Sequence, residues 1–325
     1  MRCNLNGGVL DYHIGYQEDD ALRAAFNRLA METFALDFEP WYRQGFWTDA
    51  YQPHTLFDGG RAVANVSASE LWFRLGERTL HCVQLGTVMT APADQNRGLS
   101  RWLMERVLAF WRGRCDFVYL YANDSVLDFY PRFGFRKAQE YQDIRPLRRG
   151  VPCAAARKKH ISYKLTSFLG RGVPCAAARR LDPGRPEDCA LLLRCCRQYG
   201  NPFSALSMAR GEGLLMFYAI GPLRGAFYYL EEWDAVAVAA AENGALCCEE
   251  LFAPAGTPLD AVLSALAQTL AGPGVHRVRF GFSLKEAFLC EKILLEEPDT
   301  TLFVLPAEEN IFDRARLRFP ALSHA

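Results

Sequence analysis

Residues 83 to 111, VQLGTVMTAPADQNRGLSRWLMERVLAFW, join a β-branched stretch to a helical one through a polar loop in which Gly98 is the sole glycine. A strand that turns straight into a helix N-terminus presents several unpaired backbone N–H groups and the positive end of a helix dipole, an arrangement suited to an anion. A phosphate-bearing ligand is therefore expected at Gln95 to Ser100. The loop is not a nucleotide P-loop, because no Gly-Lys-Ser/Thr follows, and a dinucleotide fingerprint needs three glycines where Gly98 stands alone. Further on, CDFVYLYANDSVLDFYPRFGFRKAQEY (residues 115 to 141) passes from a strand at Phe117 to Tyr121 to Asn123, then to Tyr130 seven residues later, then to Phe133-Gly134-Phe135.

Gln95-Asn96-Arg97-Gly98-Leu99-Ser100 resembles the pyrophosphate loop of the GNAT superfamily of acetyl-CoA-dependent N-acetyltransferases, Q/R-x-x-G-x-G/A, with Ser100 in place of the final small residue. The superfamily's second signature is strand, Asn, helix, Tyr, then Gly-Phe before a last strand, and residues 117 to 135 have that order and spacing. The resemblance covers residues 10 to 145 or so. It implies an α+β (mixed α/β) fold: a mostly antiparallel, twisted sheet with helices on both faces, whose fourth and fifth strands splay apart. The pantetheine arm of acetyl-CoA, the implied cosubstrate, would lie between Leu85 to Thr90 and Phe117 to Tyr121.

Acetyl transfer to an amine requires a neutral amine, a polarised thioester carbonyl and a proton for the departing thiolate. By the resemblance, backbone N–H groups of Val88, Met89 and Thr90 hydrogen-bond the acetyl carbonyl and pantetheine, those of Asn96 to Ser100 cradle the pyrophosphate with Arg97 adding a charge-assisted contact, and Asn123 binds the cofactor arm. Tyr130 is the candidate general acid, since a phenol of pKa ~10 can protonate a thiolate whose conjugate acid lies near ~8.5. A half-buried packing role is its alternative. No general base is identifiable; Glu32, Glu39, His54, Asp58, Glu70 and His81 are candidates, and a water chain could serve instead. The implied activity is direct transfer in a ternary complex to a small-molecule or peptide amine. The alternative is a non-catalytic acyl-CoA-binding sensor or scaffold.

The elements that must hold these residues are partly legible. Residues 18 to 35 place Leu22, Phe26, Leu29, Ala30 and Phe34 at helical spacing behind a cluster of acids. An aromatic stretch follows (Trp41, Tyr42, Phe46, Trp47, Tyr51) that either lines the acceptor cleft or joins the core. Arg61 to Phe73 and Arg78 to Thr90 read as strands, and Leu103, Met104, Val107, Leu108 and Trp111 form the apolar stripe of the helix after the loop.

Half of the 325 residues are hydrophobic, and the length suits two domains. The expected division is residues 1–145 as the catalytic unit, 146–180 as a basic connector and 181–325 as a second unit. No apolar run approaches the ~18 residues of a membrane span, and the N-terminus lacks a signal-peptide pattern. Eleven cysteines without C-x-x-C spacing and six scattered histidines argue for a reduced cytoplasm and against a metal site. Lys+Arg and Asp+Glu balance at 37 each, yet no acid lies between Asp143 and Asp182. That stretch holds ten basic residues and the repeat RGVPCAAAR at 149–157 and 171–179. A connector is the favoured reading over a nucleic-acid arm, and the oligomeric state is not readable.

After Leu181 the order is a helix at Glu187 to Gln198, strands at Gly213 to Ile220, Gly225 to Leu230, Ala235 to Ala240 and Ala245 to Phe252, a helix at Leu259 to Leu270, and a strand at Val275 to Phe282. This suggests a second GNAT-like unit in tandem. Its loop, FAPAGTPLD, has no basic residue, two prolines that each remove a donor, and Asp260, so it should not bind a pyrophosphate. A degenerate domain is expected, with an unrelated α+β domain as the alternative.

Overall fold

The computed structural model describes residues 1–5, 8–148, 178–270, 274–286, 290–306 and 311–324. Most of the basic connector, the first copy of the repeat and nearly all of the second lie outside the described residues. The chain begins with strands β1 (Arg2–Leu5) and β2 (Gly8–Ile14), then helices α1 (Asp20–Phe34) and α2 (Glu39–Arg43). Strands β3 (Tyr51–Asp58), β4 (Arg61–Leu75) and β5 (Arg78–Thr90) lead to α3 (Leu99–Trp111), β6 (Phe117–Ala122), β7 (Arg136–Lys137) and β8 (Tyr141–Pro146). Next come β9 (Arg179–Arg180), α4 (Pro186–Tyr199), β10 (Leu206–Arg210), α5 (Glu212–Ile220), β11 (Phe227–Leu230), β12 (Ala235–Glu242) and β13 (Ala245–Phe252). The last elements are α6 (Leu259–Leu270), β14 (Arg277–Phe280), β15 (Glu291–Leu294), β16 (Thr301–Leu305) and α7 (Ile311–Ala315).

Two sheets result. The first runs β1-β2-β3-β4-β5-β6-β16-β7 with β10 added along the far end of β4, and the second runs β15-β8-β14-β13-β12-β11-β9. Every pairing is antiparallel except β5 with β6 and β13 with β14. In the first sheet the neighbours Leu56 and Phe57 point to opposite sides, as strand geometry requires. Leu56 packs with Leu103, Met104 and Val107 of α3, and Phe57 with Phe26 and Leu29 of α1. The two helices therefore cover opposite faces, as expected. Helix α1 starts where the Asp19 carboxylate accepts from the amides of Ala21 (3.0 Å) and Leu22 (3.1 Å), and it stops at Ala35 in the left-handed region.

The sheets do not divide at 145 and 181. β8 of the first half lies inside the second sheet between β15 and β14, while β16 of the second half lies inside the first, between β6 and β7. The two halves thus exchange strands, a long-range pairing that local composition does not encode. The run 213–220, expected as a strand, is helix α5. It is apolar throughout and has no period that separates strand from helix. Leu215, Met216 and Ala219 face the core of the second half.

The exchange is locked by aromatic packing. Tyr119 of β6 stacks on Phe319 with centroids 4.0 Å apart, and its hydroxyl donates to the Ser323 carbonyl at 2.9 Å. Phe319 also meets Phe312 and Phe73 at 4.4 and 5.1 Å and is almost fully buried. Replacing Phe319 by Ala is expected to lower the unfolding free energy by about 3–5 kcal/mol, read by urea denaturation. A loss below about 1 kcal/mol, within the range of a surface change, would show that this segment does not hold the first sheet.

Candidate active site

The site starts with an irregularity in β5. Ser67 of β4 pairs with Gly86, but Asn65 pairs with Met89, so one extra residue is accommodated on β5 and Thr87 takes φ 42°. Such a bulge leaves backbone groups outside the ladder and bends the strand. Fully buried Asn65 holds it: its side-chain amide donates to the Thr87 carbonyl (2.9 Å) and to the Ser67 hydroxyl (2.9 Å). The Asn65 side-chain carbonyl accepts from the Thr55 hydroxyl at 2.6 Å, which leaves Tyr16 as the donor in its hydrogen bond to Thr55. Tyr51 meets the Thr87 hydroxyl at 2.7 Å. Beyond the bulge β5 and β6 part, since they pair only over Cys82–Leu85 and Phe117–Leu120. The expected cleft therefore opens after Leu120 rather than along Phe117 to Tyr121.

Past Thr90, a 3-10 turn at Pro92–Asp94 leads into the loop. Asn96 (φ 60°) and Gly98 (φ 69°) both take left-handed conformations, and α3 begins at Leu99 with no side chain capping its first amides. Those amides stay available to an anion. Leu99 is buried with Leu103 and anchors the first turn. Ser100 meets the Thr90 hydroxyl at 2.5 Å, tying the helix start to the end of β5. Arg97 donates to Asp94 at 2.5 Å, and Arg61 donates to the same buried carboxylate at 2.9 Å. Asp94 thus holds both guanidiniums at the base of the loop, and Asp58 lies 3.9 Å from Arg61. Gln95 is exposed on the outer side.

Where β5 and β6 separate lies a cavity of about 310 Å³. Gln84 to Val88 of β5 form one wall, with Tyr121 and Tyr130 beside them. Phe34, Phe38, Trp41 and Tyr51 of the first half and Leu214, Phe217 and Tyr218 of α5 close it. Much of the aromatic stretch is thus cleft and core at once: Trp41 stacks on Trp47 (5.7 Å) while its indole N–H donates to the Gly213 carbonyl at 2.7 Å.

A family model described as an acetyltransferase (GNAT) domain matches residues 16–138. N-alpha-acetyltransferase RimI of Mycobacterium tuberculosis is 31% identical over 121 residues, which are 36% of this chain and 73% of that protein. The chain belongs to the GNAT family and is an acyltransferase. A probable N-acyltransferase from Enterococcus faecalis V583 superposes with TM-score 0.54 at 13% identity, covering 91% of this chain and 72% of that one. A GCN5-related N-acetyltransferase from Kribbella flavida does so with TM-score 0.50 at 18% identity, covering 91% and 71%. These two share the fold over both halves of the chain. Among the described residues no helix is long and apolar enough to cross a membrane, and no cluster of His, Cys, Asp and Glu could hold a metal.

Within this GNAT site Val88 and Tyr130 border the same cavity. Tyr130 is buried against Phe129, Phe135 and Phe303, and burial pushes its phenol up to about 12. The stretch between Asn123 and Tyr130, a helix in the family signature, is here a 3-10 turn at Asp124–Val126, and Tyr130 opens a second such turn. Asn123 is exposed at the end of β6, outside the cavity wall, with its carbonyl accepting from Val126 at 3.0 Å.

None of the six expected bases lines this cavity. His54 is buried against the Tyr12 hydroxyl (2.6 Å), Glu70 pairs with His81 (2.7 Å), and Glu39 pairs with Arg23 and Arg43 (3.0 Å each). Asp58 lies 3.9 Å from Arg61, and Glu32 is exposed. The cavity instead contains His324, which no motif marked. Its ring lies over Tyr121 with centroids 4.0 Å apart, and its carbonyl accepts from the Tyr218 hydroxyl. Burial first, then the nearby Arg318, pushes the imidazole down to about 4, so at pH 7 it is neutral and a weak base.

Behind the cavity the Tyr121 hydroxyl donates to Glu140 at 3.3 Å, and the Phe319 amide donates to the same oxygen at 2.8 Å. Burial pushes this carboxyl up to about 7. A folded-state pKa above the unfolded ~4.3 means that the native state binds more protons between those values, so this group's contribution falls as pH rises from 4 to 7 and stays low above 7. Glu140→Gln removes that dependence. Relative to wild type its stability should improve by about 3 kcal/mol between pH 4 and pH 8, measured by thermal or urea unfolding across that range. A difference that does not change with pH would contradict the assignment.

Proposed function

We propose that the protein is an N-acetyltransferase that moves the acetyl group of acetyl-CoA to a primary amine by direct attack in a ternary complex. The observation that carries this reading is the convergence of Val88, Tyr130 and His324 on one cavity at the point where β5 and β6 part. Acetyl-CoA supplies an activated thioester. The residues present fit it: a strand bulged at Thr87, an uncapped α3 N-terminus after left-handed Asn96 and Gly98, and two arginines beneath the loop.

Backbone N–H groups at Val88 and Thr90 polarise the carbonyl, where donors held in place act most strongly as negative charge develops; that of Met89 is turned toward β4, where Met89 pairs with Asn65. Tyr130 delivers a proton to the leaving thiolate. Its own raised pKa is no obstacle, because the burial that disfavours a phenolate also disfavours a free thiolate. The apolar wall disfavours an ammonium in the same way, so the amine enters neutral; His324, a weak base, takes the nitrogen's proton as the C–S bond breaks, when that nitrogen becomes an amide nitrogen and a stronger acid than the imidazolium. The RimI relative is named for N-alpha-amines, in keeping with a primary amine here. A cytoplasmic site of action fits an enzyme that uses acetyl-CoA.

The second half is read as a degenerate GNAT-like unit. The order β13, α6, β14 with a parallel strand pair repeats β5, α3, β6. At the start of α6, however, Asp260 is engaged by Arg145 (2.5 Å) and Arg148 (3.6 Å), so a carboxylate stands where a phosphate would bind.

Titration calorimetry should show acetyl-CoA binding to the wild-type chain and at least a tenfold loss in a double variant with Arg97→Glu and Gly98→Asp; equal binding would remove the loop from the site. Tyr130→Phe should retain binding while kcat falls at least tenfold. Unchanged turnover would exclude Tyr130 as the acid, and acetyl-CoA binding without turnover of any amine by the wild type would favour a non-catalytic sensor.

A further inference from the structure

The cavity that houses the proposed reaction also describes the acceptor. The reacting groups Val88 and Tyr130 share its wall with aromatic rings, Phe38, Trp41 and Phe217 among them, and its polar members are few, chiefly Gln84, Thr87 and His324. Among the described lining residues there is no Asp, Glu, Lys or Arg. The hydroxyls that border it are partly engaged with the protein, Tyr51 with Thr87, Tyr121 with Glu140 and Tyr218 with the His324 carbonyl, so that these residues offer mainly ring surface. The rings sit at mutual angles suited to another ring: Phe38 stacks with Phe217 at 5.3 Å, and Trp41 meets Phe217 edge to face at 5.6 Å.

We infer that the acceptor is a monoamine carried on an aromatic body, an arylalkylamine, with its ring against Phe38, Trp41 and Phe217 and its nitrogen directed to Val88 and Tyr130. The inference rests on the transferase reading and narrows its substrate. A polyamine or an aminoglycoside would bring further ammonium groups into a wall with no carboxylate to pair them, and an unpaired buried charge is costly. A peptide would bring amides with few partners there. The volume of about 310 Å³, which the acetyl end of the cosubstrate shares, lies at the lower end of small-ligand sites. The part of the wall given by Leu214, Phe217 and Tyr218 lies outside residues 16–138, the part matched by the family model, so the second half shares in acceptor choice with Phe38 and Trp41 of the first.

The test compares initial rates of CoA release from acetyl-CoA by the full chain with 2-phenylethylamine, spermidine, kanamycin and a short peptide bearing a free N-terminus. The expected result is a kcat/KM for 2-phenylethylamine at least tenfold above each of the others. A preference for spermidine, kanamycin or the peptide overturns the substrate class and leaves the transferase reading standing. No turnover of any amine by a chain that binds acetyl-CoA overturns the transferase reading and the inference with it. Phe217→Glu should reverse the order by lowering the rate with 2-phenylethylamine and raising that with spermidine. Should that variant not fold, Leu36→Glu at the same cavity makes the same comparison, and an unchanged order in the folded variant counts against the assignment.

Discussion

The arrangement depends on one buried amide. Asn65 sits inside β4 with no exposure, and both ends of its side chain are used: the carbonyl accepts from Thr55 and the nitrogen donates to the Thr87 carbonyl and to Ser67. A regular antiparallel partner would satisfy the backbone of residue 87 within the ladder. Here a side chain does so instead, and a carbonyl left without a partner at this depth would be costly. The bulge therefore persists although it places a β-branched residue at positive φ, a strained conformation sustained only where the surroundings over-determine it. Its consequences are the bend of β5, the loss of pairing with β6 past Leu85, and the cavity that opens between the strands.

What the first half opens, the second half closes. Helix α5 lays Leu214, Phe217 and Tyr218 across the cavity, and Trp41 reaches over to hydrogen-bond the Gly213 carbonyl at the start of that helix. The contact is sound because β8 and β16 each lie in the other half's sheet, so neither half moves away without breaking a ladder. The same exchange brings residues 317–324 under β6, where Phe319 stacks on Tyr119 and His324 on Tyr121. A packing device thus also delivers an imidazole to the reactive end of the site.

Local elements were legible in the sequence and long-range pairing was not. The loop at Gln95 to Ser100, the stripe of α3 and the position of Tyr130 follow from turn residues, helical spacing and motif order, and the structure places Val88 and Tyr130 on one cavity. The strand exchange left no local trace, because β8 and β16 read as ordinary short strands whichever sheet they join. Helix α5 was misread because an unbroken apolar run lacks the period that separates strand from helix. His324 has no spacing signal in the sequence, and its place in the cavity wall arises only from where residues 317–323 pack. The basic connector, the most conspicuous compositional feature, falls largely outside the described residues.

The two ends of the site obey opposite electrostatic rules. The loop end is polar, with Arg61 and Arg97 on one buried carboxylate and uncapped amides at the start of α3, a surface that any phosphate-bearing cosubstrate would share. The cavity end is apolar, and there every titration moves toward the neutral form: Tyr130 upward, Tyr218 upward, His324 downward. A medium that keeps a phenol protonated and an imidazole unprotonated also favours a neutral amine over an ammonium. In the proposed reaction the acid then keeps its proton and the base and the amine are neutral at pH 7, without a charged partner among the described residues of the wall. The absence of such partners among the described residues, on which the proposed chemistry relies, is also what argues for an acceptor that carries no second charge.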